Sequence, residues 1–203
     1  EVEGFEADDI LGTLSRQASG RGMDTIIVTG DLDILQLVSP SVRVLLPRPG
    51  KTFRDTILYD EGKVVERYGI SPPQIADLKG LKGDPSDNIP GVAGIGEKTA
   101  VKLLQQFGSI EEIVAHRQEV SPPKVQQALQ NVDKAYLSKR LATIITDVPI
   151  NLTPDSCAIS AFDRSQVTEL FRELEFNRLL AKLDELETGE SADAGKMEVL
   201  EGD

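Results

Sequence analysis

The sequence predicts an α/β protein with a small, partly parallel sheet followed by an all-helical region. Three observations support this fold class. The run Thr25–Gly30 is continuous and rich in β-branched residues, as expected of a buried parallel strand. Two further strand-length runs follow at 42–46 and 56–59, and amphipathic helical segments succeed one another from Asp60 onward. At 203 residues, the chain can hold one sizeable domain or two small ones.

Acidic residues accompany the predicted elements of the first part of the chain. Glu6, Asp8 and Asp9 open a short helical pattern, where acids commonly complement the helix dipole. Asp31 and Asp33 follow the carboxyl end of the first strand, where open α/β sheets gather their ligand sites. The remaining elements predicted here are a short helix over 34–38, a strand over 42–46, a turn at 47–50 and an edge strand over 56–59.

The second part of the chain is predicted to be helical, with Pro and Gly between the helices. The predicted helices span 60–68, 73–81, 96–107, 109–116, 122–130, 133–145 and 163–183. After Leu186 no apolar period remains, and the high charge predicts a flexible segment. The expected domains are a core part at 1–60, a helical subdomain at 61–155, a C-terminal helical segment at 156–185 and an acidic linker at 186–203.

Composition excludes several classes of site. Cys157 is the only cysteine and His116 the only histidine, so an internal disulfide, a cysteine metal cluster and a two-histidine zinc site are excluded. The sequence contains no long apolar run and no signal-peptide pattern, which favours a cytoplasmic setting without membrane contact. A net charge of −12 argues against nucleic-acid binding, but eight acids and one lysine lie from Asp184 onward. The charge therefore weakens a nucleic-acid partner without excluding it.

The stretch Gly83–Ala100 combines two kinds of potential site. Asp84 and Asp87 stand three residues apart, and Gly94-Ile95-Gly96 then leads into a helical run. Amides at a helix N-terminus can bind an anion such as phosphate. The alternative is a glycine-rich helix–turn–helix that only packs against its neighbours. Lysines of the flanking helices are interpreted as solvated, with phosphate contact as the alternative: Lys79, Lys82 and Lys102.

Three acidic groups together predict a site for hard divalent cations. They are Glu6/Asp8/Asp9, Asp31/Asp33 and Asp84/Asp87. Carboxylates are the ligands that Mg²⁺ and Mn²⁺ prefer. Because acidic pairs are common, a plain α/β protein with solvated acidic faces stays an alternative.

Four motifs resemble a known family in their order and spacing. They are EADD at 6–9, TGDLD at 29–33, GDPSDNIPGVAGIGEKTA at 83–100 and FGS-IEEI around 107–113. The sequence resembles the 5′-nuclease domain of bacterial DNA polymerase I, in the flap-endonuclease-like superfamily, over roughly residues 1–183. The resemblance implies a PIN-like nuclease core with a partial parallel sheet, followed by a helix–hairpin–helix (H3TH) subdomain.

The resemblance also implies roles for individual residues. The seven acids would hold two Mg²⁺ or Mn²⁺ ions, directly or through water: Glu6, Asp8, Asp9, Asp31, Asp33, Asp84 and Asp87. Four hairpin residues would grip the backbone of duplex DNA: Gly94, Gly96, Lys98 and Thr99. In this superfamily the hairpin loop can also hold K⁺ through backbone carbonyls.

The implied activity is two-metal hydrolysis of DNA near a 5′ end or at a flap, without sequence preference. The implied setting is primer removal and repair, with polymerase domains covalently attached. The family's domain begins with a metal-binding strand and a basic arch, which are expected to be missing because the chain starts at Glu1. A non-catalytic DNA-binding module is therefore an open alternative.

Overall fold

A computed structural model describes residues 2–48, 55–130, 132–153, 157 and 163–188. The chain divides into two compact units, one from Glu1 to Leu152 and one from Thr153 to Asp203. The first unit contains a mixed α/β part and a helical part, in the order that the sequence predicts. The α/β fold class is thereby confirmed, and the finer domain boundaries stay a prediction.

The α/β part contains one helix, α1 (Ala7–Ser19), and a sheet of three strands within the described residues. The strands are β1 (Thr25–Val28), β2 (Val42–Pro47) and β3 (Thr56–Tyr59). β1 runs parallel to β2, with Thr25 opposite Val42, whereas β3 is antiparallel to β2, with Tyr59 opposite Val44. A 3₁₀ turn, Asp33–Leu37, connects β1 to β2. The three predicted strands are confirmed; residues 49 and 50 of the predicted turn lie outside the described residues.

The prediction that the first strand is fully buried is wrong. Ile27 is 4% exposed, but Ile26 is 46% and Val28 60% exposed. Successive side chains of a strand point to opposite faces, so only one face of β1 meets the core. Within the described residues β1 is an end strand of the sheet, paired with β2 on one side.

The helical part consists of six α-helices within the described residues. They are α2 (Glu61–Tyr68), α3 (Gln74–Lys82), α4 (Glu97–Phe107), α5 (Ile110–Ala115), α6 (Pro123–Ala128) and α7 (Val132–Ala142). α3 lies at the centre of this part, and every residue from Ile75 to Leu81 is buried. Leu78 and Leu81 pack in a core with Leu103, Leu104 and Ile113. Burial of this apolar surface supplies most of the stabilisation of short helices such as these.

The chain after α7 is not helical, so the predicted helix over 133–145 is too long. Residues 143–152, called the strap below, run along α1 and bond to its side chains. Asp9, Thr13 and Gln17, each one helical turn after the last, accept the backbone N–H groups of residues 145, 148 and 152 at 2.8, 3.1 and 2.7 Å. Gln17 also donates to the carbonyl of residue 150 at 2.7 Å. In a longer α7 helix the first of these N–H groups would bond within the helix. Here the side chains of α1 accept the strap N–H groups instead.

The second unit contains two helices among its described residues, α8 (Arg164–Glu173) and α9 (Asn177–Thr188). The prediction of one helix over 163–183 is wrong, because Glu175 adopts the left-handed conformation with φ 56°. The N–H of Phe176 then bonds to the carbonyl of Phe171 at 2.8 Å, which closes the turn between the helices. The predicted acidic linker at 186–203 lies outside the described residues, apart from positions 186–188 at the end of α9.

In the part of the chain that the structure describes, no helix has the length and apolar character needed to cross a membrane.

Candidate active site

Three carboxylates from two parts of the first unit converge on one point. Asp33 stands at the start of the 3₁₀ turn after β1, and Asp84 and Asp87 lie in the loop after α3. One carboxylate oxygen from each lies within 4.8 Å of the other two. We call these residues the acidic cluster. A groove of about 520 Å³ adjoins it, lined by Gly30, Asp31, Leu32, Asp33, Asp84 and Ser86.

Lys79 of α3 brings a positive charge into the acidic cluster. Its Nζ donates to Asp33 Oδ2 and lies 2.6 Å from Asp84 Oδ2 and 3.4 Å from Asp87 Oδ2. The Lys79 side chain is only 9% exposed. Burial alone would lower its pKa, but hydrogen bonds and charges of Asp33 and Asp84 outweigh burial and raise the pKa above the usual range. Lys79 is therefore a charged ammonium group held by three carboxylates.

The loop that carries Asp84 is shaped by its backbone bonds. Asp84 and Ile89 exchange two backbone hydrogen bonds, of 2.9 and 2.8 Å. The N–H of Ser86 donates to Asp84 Oδ1 at 3.0 Å, and the Ser86 hydroxyl donates to the same oxygen. Partial burial opposes ionisation of Asp84, but hydrogen bonds from Lys79 and Ser86 lower its pKa to about 2. Asp84 is thus held ionised in one orientation.

Two other acids have raised pKa values, chiefly because they are partly buried and also because they lie among negative charges. Burial raises the pKa of Asp33, and the bond from Lys79 offsets only part of that effect. Burial also raises the pKa of Asp8, and the charges of Asp31 and Asp33 raise it further. Asp31 Oδ1 accepts the N–H of Asp33 at 2.9 Å, which fixes the turn after β1. Asp8 and Asp31 therefore lie close enough to the cluster to add to its negative field.

Glu6 and Asp9 form a capping box at the start of α1. The N–H of Glu6 donates to Asp9 Oδ2 at 3.1 Å, and the Glu6 side chain accepts the N–H of Asp9. Asp9 is 9% exposed, and its other oxygen accepts the strap N–H of Ile145. Both carboxylate oxygens of Asp9 thus already have backbone donors. Among the described residues, the structure brings Asp33, Asp84 and Asp87 together and does not place Glu6 or Asp9 in that cluster. Metal binding by all seven acids stays a prediction.

The hairpin before α4 has an open surface. Gly94 adopts φ +89°, and a Cβ atom at Gly94 or Gly96 would meet nothing within 4 Å. The carbonyl of Gly96 accepts N–H groups from Thr99 at 3.0 Å and Ala100 at 2.9 Å, which starts α4. Lys98 is exposed. Ile95 is 3% exposed and fixes the hairpin to the core. This surface can therefore approach a large, flat ligand closely.

Sequence reasoning missed the position of Lys79. The sequence predicts a solvated lysine at this position, because lysines on helices usually reach water. The signal that could have located it is its setting: Leu78, Gly80 and Leu81 surround it in a helix with apolar residues on every side. A charged residue in such a helix needs a partner of opposite charge.

Comparison with known proteins identifies the family. Residues 1–69 match the family model described as "5′-3′ exonuclease, N-terminal resolvase-like domain", and residues 70–165 match "5′-3′ exonuclease, C-terminal SAM fold". The chain belongs to the 5′-3′ exonuclease family. The two matches meet next to Gly69, the left-handed residue that ends α2. Membership in the 5′-3′ exonuclease family assigns the chain to the nucleases.

The relatives of this 5′-3′ exonuclease chain include several bacterial DNA polymerases I. The chain is 52% identical to DNA polymerase I of Chloroflexus aurantiacus over 189 residues, which is 90% of the chain and 20% of that relative. It is 45% identical to DNA polymerase I of Bacillus subtilis over 202 residues, 99% of the chain and 22% of the relative. The chain thus spans about a fifth of the length of these relatives.

Solved structures share the fold of this exonuclease chain. Phage T5 5′-exonuclease with zinc ions bound matches with a TM-score of 0.61 at 21% identity, over 71% of this chain and 52% of that one. The phage T5 flap endonuclease, in a pseudo-enzyme–product complex with DNA and metal ions, matches with the same score at 22% identity and the same coverage. These likenesses support the PIN-like core followed by a helical domain.

The donor set of the acidic cluster fits a hard divalent cation. Three carboxylates converge there, and hard cations of the Mg²⁺ type bind through oxygen. The Lys79 ammonium occupies the position of a metal ion among these carboxylates, and shows that they can surround a single positive charge.

Proposed function

We propose that the chain is the nuclease part of a cytoplasmic DNA polymerase I and hydrolyses DNA near a 5′ end or at a 5′ flap, as in primer removal and repair. The observation that carries this proposal is the convergence of Asp33, Asp84 and Asp87 in a chain of the 5′-3′ exonuclease family. These residues come from the core part and from the helical part, so both halves are needed to build the site.

The acids divide into three groups according to their surroundings. Asp33, Asp84 and Asp87 would bind a divalent ion directly, since their oxygens already converge. Asp8 and Asp31 add negative charge beside this point and would complete a second ion site. Glu6 and Asp9 hold the start of α1, and would act on the ions through water or by positioning Asp8. When bound, two Mg²⁺ or Mn²⁺ ions supply an activated water and stabilise the leaving oxygen.

The hairpin would hold the duplex beside the acidic cluster. Gly94 and Gly96 present backbone without side chains, Lys98 adds a positive charge, and Thr99 lies in the first turn of α4. Backbone contacts of this kind bind phosphate and carry no sequence information. Carbonyl groups of the same loop are the proposed ligands of K⁺. The phage T5 flap endonuclease complex with DNA and metal ions supports this arrangement by its shared fold.

The test is cleavage of a branched 5′-flap duplex in Mg²⁺. It compares wild type with Asp87→Asn, both in the 203-residue chain and in its parent polymerase. Loss of one carboxylate of the cluster is expected to reduce cleavage by roughly 100-fold. This is the upper end of the loss of activity that follows when a residue supporting a metal site is mutated. Asp133→Asn, an exposed acid of α7, is the matched control and is expected to keep full activity. Equal cleavage by Asp87→Asn and wild type would refute the role of Asp87.

The same assay decides between a nuclease and a DNA-binding module. Affinity for flap DNA without Mg²⁺-dependent cleavage by the chain or its parent would assign a binding role instead. The exposed hairpin favours DNA binding in either case, because Gly94 and Gly96 leave its backbone open to a phosphate without any metal ion.

A further inference from the structure

Lys79 occupies the point where a divalent ion would bind. Its Nζ lies 2.6 Å from Asp84 Oδ2 and 3.4 Å from Asp87 Oδ2, and it also donates to Asp33. A divalent ion bound by the same oxygens would stand about 2.0–2.6 Å from each of them. The two cations would therefore share one set of ligands, and their positive charges would repel each other at close range.

The movement that separates the two cations must come from the lysine side chain. The backbone of α3 is fixed, since every residue from Ile75 to Leu81 is buried and the helix packs against α4 and α7. A lysine side chain has a flexible four-carbon stem. Asp87 is the most exposed member of the cluster, with 51% of its side chain open to solvent, so the ammonium has a path outward on that side.

We propose that Lys79 is a built-in placeholder cation, which neutralises Asp33, Asp84 and Asp87 in the metal-free protein and leaves them when a divalent ion binds. This inference rests on the proposed metal site. Without a cation, three carboxylates within 4.8 Å would repel one another and push the core and helical parts away from each other. The ammonium prevents this repulsion, so the site is assembled before metal arrives.

The decisive experiment measures how accessible Lys79 is, and it needs no variant. The 203-residue chain is treated briefly with formaldehyde and a hydride reagent, and methylation of each lysine is measured by mass spectrometry in EDTA and in saturating Mn²⁺. We expect slow labelling of Lys79 in EDTA and several-fold faster labelling in Mn²⁺. Lys102, which lies on α4, is the internal control and is expected to label equally in both. Continued protection of Lys79 in saturating Mn²⁺ would overturn the inference.

A second measurement tests competition between the ammonium and the metal. Lys79→Met keeps the alkyl stem and removes the charge, so Mn²⁺ affinity measured by calorimetry is expected to rise by about tenfold or more, equivalent to about 1.4 kcal/mol. Lys82→Met is the matched control, because Lys82 lies on the same helix but pairs with Glu97 at 2.9 Å. In EDTA, Lys79→Met is expected to unfold at lower urea than wild type, and Mn²⁺ is expected to restore it.

The outcomes separate the inference from the proposed function. Equal Mn²⁺ affinity of wild type and Lys79→Met, with Asp87→Asn binding more weakly, would overturn the placeholder role and keep the metal site. Absence of Mn²⁺ binding by wild type and Lys79→Met alike would refute the metal site, and the placeholder role with it.

Discussion

Gly91 is the position where a single methyl group should disturb the acidic cluster most. Its φ is +61°, and a Cβ there would stand 2.6 Å from Gly83 Cα and from the carbonyl carbon of Lys82, with the Gly83 nitrogen nearer still. Backbone atoms cannot rotate away as a side-chain end can, so the loop would have to move. We therefore expect Gly91→Ala to be strongly destabilising.

The bonds around Gly91 set the size of this effect. Its N–H donates to the Ser138 hydroxyl at 3.0 Å, the next N–H donates to the Leu81 carbonyl at 2.8 Å, and the Asp84–Ile89 pair closes the loop. Displacement that breaks two or three of these bonds costs about 1 kcal/mol for each. The left-handed backbone adds about 1–2 kcal/mol for any residue with a Cβ. The expected loss of unfolding free energy is about 3–5 kcal/mol.

Gly94→Ala provides the matched control for Gly91→Ala. Gly94 is also left-handed, with φ +89°, but a Cβ there would meet nothing within 4 Å. Only the backbone cost of about 1–2 kcal/mol applies. Urea unfolding in EDTA, followed by circular dichroism, measures both variants. If Gly91→Ala were within about 1 kcal/mol of Gly94→Ala, the reasoning from close packing would be refuted.

Two further predictions concern buried charge and pH. Asp77 is 5% exposed and accepts an N–H from Ile110 at 2.9 Å and Nζ of Lys139 at 2.7 Å. Asp77→Ala should cost about 2–4 kcal/mol in urea unfolding. Glu97→Ala removes an exposed acid of the first turn of α4 and its ion pair with Lys82, and should cost less than about 1 kcal/mol. Similar losses for the two variants would contradict this reasoning. The pKa of Asp84 is lowered from 3.8 to about 2, so its stabilisation of the metal-free fold is present above 3.8 and lost as pH falls towards 2. The stability difference between wild type and Asp84→Asn should shrink over that interval, and a constant difference would contradict the ion pair with Lys79.

Local patterns in the sequence were sufficient to predict most elements. The strand at Thr25–Val28 and the helix start at Gly96 depend on residues within a few positions, so composition and spacing reveal them. The pairing of Asp84 with Asp87 is likewise local. The family resemblance places the Asp31/Asp33 pair and the Asp84/Asp87 pair in one site. The structure brings Asp33 to Asp84 and Asp87 across the 50 residues between Asp33 and Asp84.

Features that depend on distant partners could not be predicted in this way. Thr13 bonds to residue 148, a separation of 135 positions, and nothing near Thr13 indicates that partner. The end of α7 at Ala142 could not be predicted for the same reason, because the residues after it form hydrogen bonds with side chains of α1 instead of continuing the helix. Lys79 was missed because its burial depends on three acids whose positions only the fold determines. In each case tertiary contacts override the local pattern.

The strap gives the helical part a second attachment to the core. That part leaves the core after β3 at Tyr59 and returns where Gln36 bonds to the carbonyl of Ala142 and the N–H of Ile144, both at 3.0 Å. A body held at one end can swing about a hinge, whereas one held at both ends is restricted to small sliding movements. Cutting the chain within residues 143–152 would restore the hinge. The spacing of Asp33 from Asp84 and Asp87 is therefore supported from two sides, by the ion pairs of Lys79 and by a segment that lies along α1.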